Sequence, residues 1–574
     1  MPGMGHGVDI HNPVVTNLFR LGLHVSFVWV LAFAVLFALG LAFVALRSPD
    51  GVPPLSEARP RTTLRVGFGL LWLLDGLLQL QAGMPLGLSS QVLAPTKEAA
   101  PTWWHGFIGT AVQIWNQHPL ALAQAAVWIQ IALAFGLLGS TRMASRVAGL
   151  LSAIWALLIW LVSGFGGLFG HGVSVLFGWP GAPLFYAIAG FALALRPEKF
   201  PHVYQAVVSK IVGLILILGA VLQALPGSHF WTTGNDNALN QMIQDMTSVP
   251  QPAWLAGIGH VGAGVVRAAG PGINMLIVVW LMAAGVGLWR ITVSGFRWPA
   301  SSLAVGAVIV WIVVQDTGLF GGVATDPNSM LPLALLGITL SPRLRTAAPF
   351  NVKLSAVARR AISNAAVSLA GGALIVGTYL GATGIFASPE TTLYRAYNGD
   401  VAAVEGTPAP DFTLTDQNGQ PFSLSTHRAA HEVVVLSFID PVCYEECPQI
   451  GHQLLDVVKN PPSGVKVTVV MVAANLQDHS KRQVEHFMEQ YDLAGVSSLY
   501  FLNGTTHQLR DVFEQYGITV TTGGEHGMSI HSMVVYIINA AGEIRYIVED
   551  DPVPGPAGRA STVQVLRDAI VTLR

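Results

Sequence analysis

The sequence has few charged residues. They make up 11% of its 574 positions, while hydrophobic residues make up 52% and the mean hydropathy is +0.53. Because a soluble protein carries about 25% charged residues, we expect most of this chain to lie in a lipid bilayer. The formal net charge is −2. Nucleic-acid binding requires a basic excess, so this charge argues against a nucleic-acid partner.

Cysteine is also scarce. Only Cys443 and Cys447 are present. Two cysteines cannot form a disulfide-stapled scaffold, and they leave one bridge, a redox pair or a metal site as the alternatives. Both follow the apolar part of the chain. That part therefore has no thiols of its own with which to carry electrons across a membrane.

Ten apolar segments are candidates for membrane helices, which need about 20 residues each. They lie near residues 21–46, 64–82, 119–139, 147–164, 182–196, 208–225, 271–289, 299–316, 329–341 and 363–388. The fifth and ninth are short. Before the first segment there is one basic residue, Arg20, and the segment is long enough to span, which favours a retained helix over a cleaved signal peptide.

Lysine and arginine are unevenly distributed when successive loops are assigned to alternate sides of the membrane. Sixteen fall on one side: Arg47, Arg59, Arg61, Arg65, Arg142, Arg146, Arg196, Lys199, Lys210, Arg290, Arg297, Arg343, Arg345, Lys353, Arg359 and Arg360. Three fall on the other: Arg20, Lys97 and Arg267. Positively charged loops stay in the cytoplasm. The sequence therefore predicts a multi-pass plasma-membrane protein whose N-terminus and C-terminal region are both extracytoplasmic.

The apolar part repeats itself at an offset of 150–152 residues. The matched pairs are Trp104 with Trp254, Trp128 with Trp280, Trp160 with Trp311, and "GLFG" at 167–170 with the same letters at 318–321. Duplication produces a constant offset. We predict two four-helix bundles, at 64–196 and 207–342. They should be parallel because each has an even number of spans.

The first bundle contains "RTTLRVGFGLLWLLDGLLQL" and resembles the DoxX-like membrane family, the second more faintly. The resemblance implies sulfur or redox metabolism at the membrane and assigns no residue. Asp75 lies inside this segment. A carboxylate there costs about 2.5–3.5 kcal/mol, so Asp75 is a candidate for a quinone, proton or ion site. The alternative is a hydrogen bond to Gln79 or to a neighbouring helix.

Five parts make up the predicted organisation. They are an outer tail, first membrane helix and inner loop at 1–63, the bundles at 64–196 and 207–342, a last membrane helix at 363–388, and an extracytoplasmic domain at 400–574. Charged residues are frequent in the last part. It is therefore expected to be soluble.

The last part has the element order of an α/β thioredoxin-like domain. It shows strand–turn–strand at 406–425, a buried strand at 433–438, a loop and helix at 440–458, a buried strand at 465–473, amphipathic helices at 480–491 and 507–517, and a hairpin at 531–549. The hairpin turn is expected at Ala541-Gly542. His531 is expected to open the hairpin.

Cys443 and Cys447 follow a buried strand at the point where a helix begins, and a helix N-terminus favours thiolate. If the segment is helical, residues i and i+4 share a face, so both sulfurs can reach one ion. Thiolate suits Cu(I), and an imidazole could complete a trigonal site. Carboxylates raise the pKa of a nearby thiol, and Glu445 and Glu446 are expected to act in this way.

Three motifs in this domain resemble the Sco (SenC/PrrC-like) copper-chaperone family. They are "PDFTL", the C-x3-C-P motif "CYEECP", and "IHSMVVYIINAAGEIR", and together they cover most of 405–550. By matching motif, the resemblance implies copper ligands at Cys443, Cys447 and His531, with a Cys443–Cys447 disulfide in the oxidised form. Where the family has a "VDP" segment this chain has "MVAANLQ", which puts the secondary contacts in doubt.

The resemblance implies a metallochaperone that delivers copper to an exported cuproprotein, or reduces its cysteines. A haem-copper oxidase copper centre is the expected client. The alternative is a membrane thiol-disulfide or quinone-linked oxidoreductase that uses the Cys443/Cys447 redox pair. A plain disulfide without metal is a further alternative. A typical thioredoxin would have C-x2-C spacing, and a peroxiredoxin would have threonine or serine in place of Asp440.

The predicted orientation is open to a direct test. A reporter enzyme that is active only outside the cytoplasm should be active when fused after Arg574, because the lysine and arginine bias places that end outside. The same reporter fused after Arg343, in a predicted inner loop, should be inactive. The reverse pattern of activities would overturn the topology.

Overall fold

The computed structural model describes residue 10 and residues 12–47, 58–139, 142–169, 173–294, 298–321, 323–341, 356–386, 401–429, 432–522, 527–549 and 561–573. The chain divides into two compact units. The helical unit is Leu23–Val112 and Ala123–Ala382, and the C-terminal unit is Met1–Gly22, Gln113–Leu122 and Thr383–Arg574. The C-terminal unit thus includes the beginning of the first helix as well as the predicted soluble domain.

Helices account for most of the described chain before residue 387. They are α1 (Pro13–Arg47), α2 (Arg59–Leu78), α3 (Met84–Gly87), α4 (Ala94–Ala99), α5 (His105–Gln117), α6 (Pro119–Leu138), α7 (Arg142–Val162), α8 (Ala182–Ala194), α9 (Phe200–Val203), α10 (Ser209–Ala224), α11 (Ala238–Ser248), α12 (Ala253–Ser294), α13 (Trp298–Val313), α14 (Met330–Leu340) and α15 (Ala356–Phe386). Each of the ten predicted apolar segments coincides with one of these helices.

Six of the described helices are long and apolar enough to cross a membrane. The spans are Val15–Phe43, Pro119–Leu138, Met143–Val162, Tyr204–Ala224, Ala253–Arg290 and Arg360–Phe386. Three apolar helices are shorter, at Ala182–Ala194, Trp298–Val313 and Met330–Leu340. The remaining predicted span, α2, carries Arg61, Arg65 and Asp75. Membrane insertion and the number of crossings stay predictions.

Helix α12 is much longer than the predicted segment at 271–289. It is broken at Ala269, whose φ is −131°, immediately before Gly270 and Pro271. Proline removes a helical hydrogen bond and crowds the preceding turn. Two helical pieces therefore join at this point. The apolar pattern identified only the second piece.

Two buried arginines of α2 bind the C-terminal ends of neighbouring helices. Arg61 donates to the carbonyl oxygen of Leu193 at 2.9 Å, and Arg65 donates to that of Leu137 at 2.6 Å. The last carbonyls of a helix lack intrahelical partners and carry partial negative charge. The start of α2 therefore lies beside the ends of α6 and α8, as expected if alternate helices run in opposite directions.

The two predicted bundles share a turn of the same geometry. Trp160 donates from Nε1 to the carbonyl of Pro180 at 2.7 Å, and Trp311 does so to Pro327 at 2.8 Å. Left-handed backbone follows each tryptophan at matching offsets, at Phe165, Gly166 and Gly167 in one bundle and at Asp316, Thr317 and Gly318 in the other. These matches favour the duplication, which stays a prediction.

The C-terminal domain has a central six-stranded sheet. Its strand order is β1-β10-β9-β4-β5-β6, and the strands are β1 (Val401–Pro408), β4 (Val433–Ile439), β5 (Val467–Ala473), β6 (Leu499–Leu502), β9 (Val534–Ile538) and β10 (Glu543–Glu549). The pairs β4/β5 and β5/β6 are parallel, whereas β4/β9, β9/β10 and β10/β1 are antiparallel. This is the thioredoxin-like arrangement that the sequence predicted.

Two strand pairs and five helices complete the domain. The pairs are β2 (Thr413–Thr415) with β3 (Pro421–Ser423) and β7 (Val520–Thr522) with β8 (Ser529–His531). The helices are α16 (Leu424–Ala429), α17 (Cys447–Lys459), α18 (Lys481–Gln490), α19 (Thr506–Tyr516) and α20 (Thr562–Val571). Capping boxes begin α18 and α19, where Ser480 and Thr505 accept hydrogen bonds from the third residue of each helix.

The predicted hairpin is present, but it begins later than expected. Its strands are β9 and β10, and the turn at Ala541-Gly542 is confirmed, with Gly542 at φ 81°. His531 does not open this hairpin. It ends the separate strand β8, where it pairs with Val520 of β7. The sheet ladder still holds its backbone, through a different partner from the one predicted.

Candidate functional site

The two cysteines follow the central strand β4, one in the loop after the strand and one at the start of the next helix. Cys447 is the first residue of α17, whereas Cys443 belongs to the loop before it. The expectation that both lie on one helical face is therefore wrong. The sulfurs meet because the loop folds back, with the Cys443 amide donating to the carbonyl of Asp440 at 3.2 Å. Both are free thiols, and they are 8% and 3% exposed.

The two thiols have different pKa values because their surroundings differ. A hydrogen bond from Cys447 lowers the pKa of Cys443 to about 6, and the backbone N–H groups of Cys447, Glu445 and Glu446 help, although burial opposes them. The pKa of Cys447 is raised well above its usual value by its hydrogen bond to Cys443 and by burial. At neutral pH, Cys443 is thiolate and Cys447 keeps its proton.

The acidic residues between the cysteines do not have the expected effect. Glu445 and Glu446 were expected to raise the pKa of the thiols through their carboxylates. Instead, their backbone N–H groups at the beginning of α17 lower the pKa of Cys443. The backbone dipoles point at the sulfur, and this favours thiolate.

His531 lies against Cys447, as the metal-ligand prediction requires. Its Nε2 is 3.6 Å from the Cys447 sulfur, and its Nδ1 is 3.1 Å from the carbonyl oxygen of Ser532. A carbonyl only accepts, so Nδ1 carries the hydrogen and the lone pair of Nε2 points toward the sulfur. The ring is 5% exposed, and burial lowers its pKa. The neutral imidazole is the form that binds metals.

A buried carboxylate that the sequence did not assign to the site connects its parts. Oδ1 of Asp440 accepts from the Val442 amide at 3.0 Å and from Nδ2 of Asn475 at 3.1 Å, and Oδ2 accepts from the Ser529 amide at 2.6 Å. Nδ2 of Asn475 also donates to the carbonyl of Gly527 at 2.9 Å. Asp440 thereby ties the cysteine loop to the strand that carries His531.

The segment "MVAANLQ" supplies one partner of Asp440. Asn475 lies just after β5, within this segment, and its side-chain amide binds Asp440. A polar residue within two positions of the end of each of two neighbouring buried strands was the available signal for this contact. Predicting the link to His531 would also have required knowing that the strand carrying His531 reaches the same edge of the sheet.

The distance between His531 and Cys447 fits two ligands of one metal ion, but the three predicted ligands do not form a closed site. Sulfur and imidazole ligands at about 2.3 and 2.0 Å from one ion lie about 3.5–3.7 Å apart at angles of about 110–120°. The Cys447–His531 distance of 3.6 Å agrees. Within the described ranges, no group of three or more His, Cys, Asp or Glu residues is already arranged around a common point. Metal binding would have to replace the hydrogen bond between the thiols.

The other predicted residues are separate from this site. Asp75 lies in the helical unit and is 2% exposed. His526, the nearest alternative histidine to His531 in sequence, lies outside the described residues. The proposed disulfide belongs to the oxidised form and stays a prediction.

Comparison with known proteins identifies the C-terminal domain. Residues 404–566 match the Redoxin family. The match confirms a redoxin-type, thioredoxin-like domain there, as the sequence predicted. No curated protein matches the chain significantly.

Sco proteins are among the structural neighbours of this domain. Copper-bound ScoI of Arabidopsis thaliana is 19% identical and covers 29% of this chain and 96% of its own, with a TM-score of 0.24. Apo Sco1 of Thermus thermophilus is 19% identical, and the match covers 30% of this chain and 95% of that protein, with a TM-score of 0.25. BsSco is 16% identical, and the match covers 29% of this chain and 94% of that protein, with a TM-score of 0.25. It is described as a Sco-family cytochrome c oxidase assembly protein with a disulfide switch.

The unequal thiols predict selective alkylation of the reduced full-length protein. Cys443 should react with iodoacetamide before Cys447, with a rate that rises through pH about 6, because its pKa is lowered to that value. Peptide mass spectrometry across a pH series measures both rates.

Two variants test the cause of this shift. Cys447→Ala should move the midpoint of Cys443 alkylation upward. Cys447→Ser should move it less, since a hydroxyl can still donate to the thiolate. A midpoint near the ordinary thiol value of about 8.5 in the unmodified protein, or faster alkylation of Cys447, would contradict the assignment.

Proposed function

We propose that the C-terminal domain binds one Cu(I) ion through Cys443, Cys447 and His531. The observation that carries the proposal is the contact of the neutral His531 imidazole with Cys447, beside the thiolate of Cys443. Soft thiolates and imidazole together favour Cu(I) over hard cations such as Mg²⁺ or Ca²⁺. Binding requires Cys447 to lose its proton, so it should release one proton at neutral pH.

Copper is the cargo of this site and not a resident cofactor. The protein delivers it to an exported cuproprotein, or reduces the cysteines of that protein, and the copper centre of a haem-copper oxidase is the proposed client. Cys443 is the more exposed of the two thiols, at 8% against 3% for Cys447. A client ligand can therefore approach Cys443 first and displace the ligands one at a time.

The domain is proposed to lie outside the plasma membrane, held there by the helices of the N-terminal part. The lysine and arginine bias supports this orientation. The C-terminal unit supports it too. Nδ2 of Asn12, just before α1, donates to the hydroxyl of Tyr536 in β9 at 2.8 Å. An even number of spans would put the start of the first helix and the C-terminal domain on one side of the membrane, and this contact supports that arrangement.

A thiol-disulfide oxidoreductase is the second candidate, and the lowered pKa of Cys443 favours it. The Cys443 thiolate would attack a client disulfide, forming a mixed disulfide and releasing one client thiolate. Cys447 would then attack Cys443, so that the client disulfide is reduced and the Cys443–Cys447 pair is oxidised. In the quinone-linked version, a quinol bound by the helical unit would supply two electrons and two protons that return the Cys443–Cys447 disulfide to two thiols, and it would leave as quinone.

Two histidine variants of the full-length protein separate these functions. His531→Ala should weaken Cu(I) binding by at least about 10–100-fold, the range for loss of a group that only supports a ligand. His526→Ala should change it little. Competition with a chromophoric Cu(I) chelator measures both affinities.

The same variants should still form the Cys443–Cys447 disulfide, because thiol oxidation does not need the imidazole. Equal affinities in the two variants, or a larger loss in His526→Ala, would show that His531 is not the ligand. Unchanged copper affinity in a Cys443→Ser, Cys447→Ser double variant would reject the copper site altogether and leave the oxidoreductase reading.

A further inference from the structure

The helical unit contains a buried polar group outside the thiol site. Asp75 lies in the second half of α2 and is 2% exposed. One turn earlier, the ring of Trp72 packs edge-on against Tyr186 of α8, with centroids 4.6 Å apart. Phe68 packs against the same tyrosine at 5.2 Å. Asp75 therefore lies about one turn from an aromatic cluster between α2 and α8.

Three buried polar atoms belong to this part of the helical unit. They are Oδ1 of Asp75, Oε1 of Gln79 and the hydroxyl of Tyr186. Gln79 is 4% exposed and Tyr186 is 2% exposed. Gln79 follows Asp75 by four residues, so their side chains lie on one face of the helix. The Tyr186 hydroxyl can donate to the Asp75 carboxyl group, which leaves Oε1 of Gln79 without a donor in the described chain. Buried polar groups are nearly always paired, so a donor is missing there.

The missing partner must donate hydrogen bonds. A carboxylate and an amide oxygen only accept, and the single hydrogen of the Tyr186 hydroxyl cannot serve both. The titratable groups that face Asp75 are Tyr186, from α8, and Asp326, from the loop before α14. Neither supplies a positive charge. A metal ion is disfavoured as well, because the described ranges hold no cluster of three or more His, Cys, Asp or Glu residues.

We propose that Asp75 is a proton-binding site of the helical unit, completed by Tyr186 and Gln79. One added proton converts the carboxylate to a carboxylic acid whose O–H donates to Oε1 of Gln79. The Tyr186 hydroxyl donates to the other carboxyl oxygen. A single proton thus gives each of these three atoms a partner.

Infrared spectroscopy of the full-length protein in lipid nanodiscs tests this site near neutral pH. A protonated carboxylic acid has a C=O stretching band that ionised carboxylates lack. The band should be present in the unmodified protein and should shift when water is replaced by D₂O, because the acid proton exchanges. It should be lost in Asp75→Asn. It should remain in Asp245→Asn, the matched control, since Asp245 is an exposed carboxylate in α11 of the same unit.

A further variant addresses the neighbouring tyrosine. Tyr186→Phe should shift the band without removing it, because one hydrogen bond to the carboxyl group is lost.

The outcomes are decisive in either direction. No carboxylic-acid band in the unmodified protein would mean that Asp75 is ionised and bound to water, and the proposal would be wrong. A band that persists unchanged in Asp75→Asn would also overturn it. If Asp75→Asn does not fold, Tyr186→Phe decides: a shifted band supports the site, and an unchanged band rejects it.

Discussion

The buried carboxylate of Asp440 is the constraint on which the thiol site depends. Oδ1 of Asp440 holds the loop that carries Cys443, while Oδ2 holds the amide of Ser529, two residues before His531. Asp440 is 0% exposed. Hydrogen bonds to a buried charge are stronger than neutral ones, and a buried group left unpaired is costly. The cysteine loop and the histidine strand cannot separate without breaking these bonds.

This constraint bears on both proposed roles of the site, metal binding and thiol chemistry. The loop brings Cys443 to the backbone N–H groups at the start of α17, which stabilise its thiolate. The β7/β8 ladder and the Ser532 carbonyl hold the His531 ring with Nε2 toward Cys447. A prearranged ligand loses less entropy on binding. The same unequal pair of thiols suits nucleophilic attack by one sulfur and resolution by the other.

Much of the C-terminal fold was predictable because its signals are local. Buried strands such as β4 and β5 show continuous apolar, β-branched runs, and the turn at Ala541-Gly542 follows from glycine. The contact of Asp440 with Ser529 was not predictable, since the two residues are 89 positions apart. The helical face assumed for the cysteines was wrong because the helix begins only at Cys447, so the C-x3-C spacing spans a loop.

In the helical unit, each predicted apolar segment coincides with a described helix, but the polar contacts between the helices were not predicted. Arg61 and Arg65 were counted only as charges at a predicted inner loop, whereas they bind the ends of α8 and α6. Such pairings depend on which helices are neighbours, and apolar patterns do not encode that. The predicted span at 271–289 begins at the break in α12, which Pro271 marks in the sequence, and it misses the helical piece before the break.

X-ray absorption at the copper edge of the Cu(I)-loaded full-length protein tests the central claim most directly. If Cys443, Cys447 and His531 hold the ion together, the spectrum should show two sulfur scatterers and one nitrogen scatterer at bonding distance. A spectrum without copper–sulfur scattering, or with three or more sulfurs, would contradict the site, since this chain has only two cysteines.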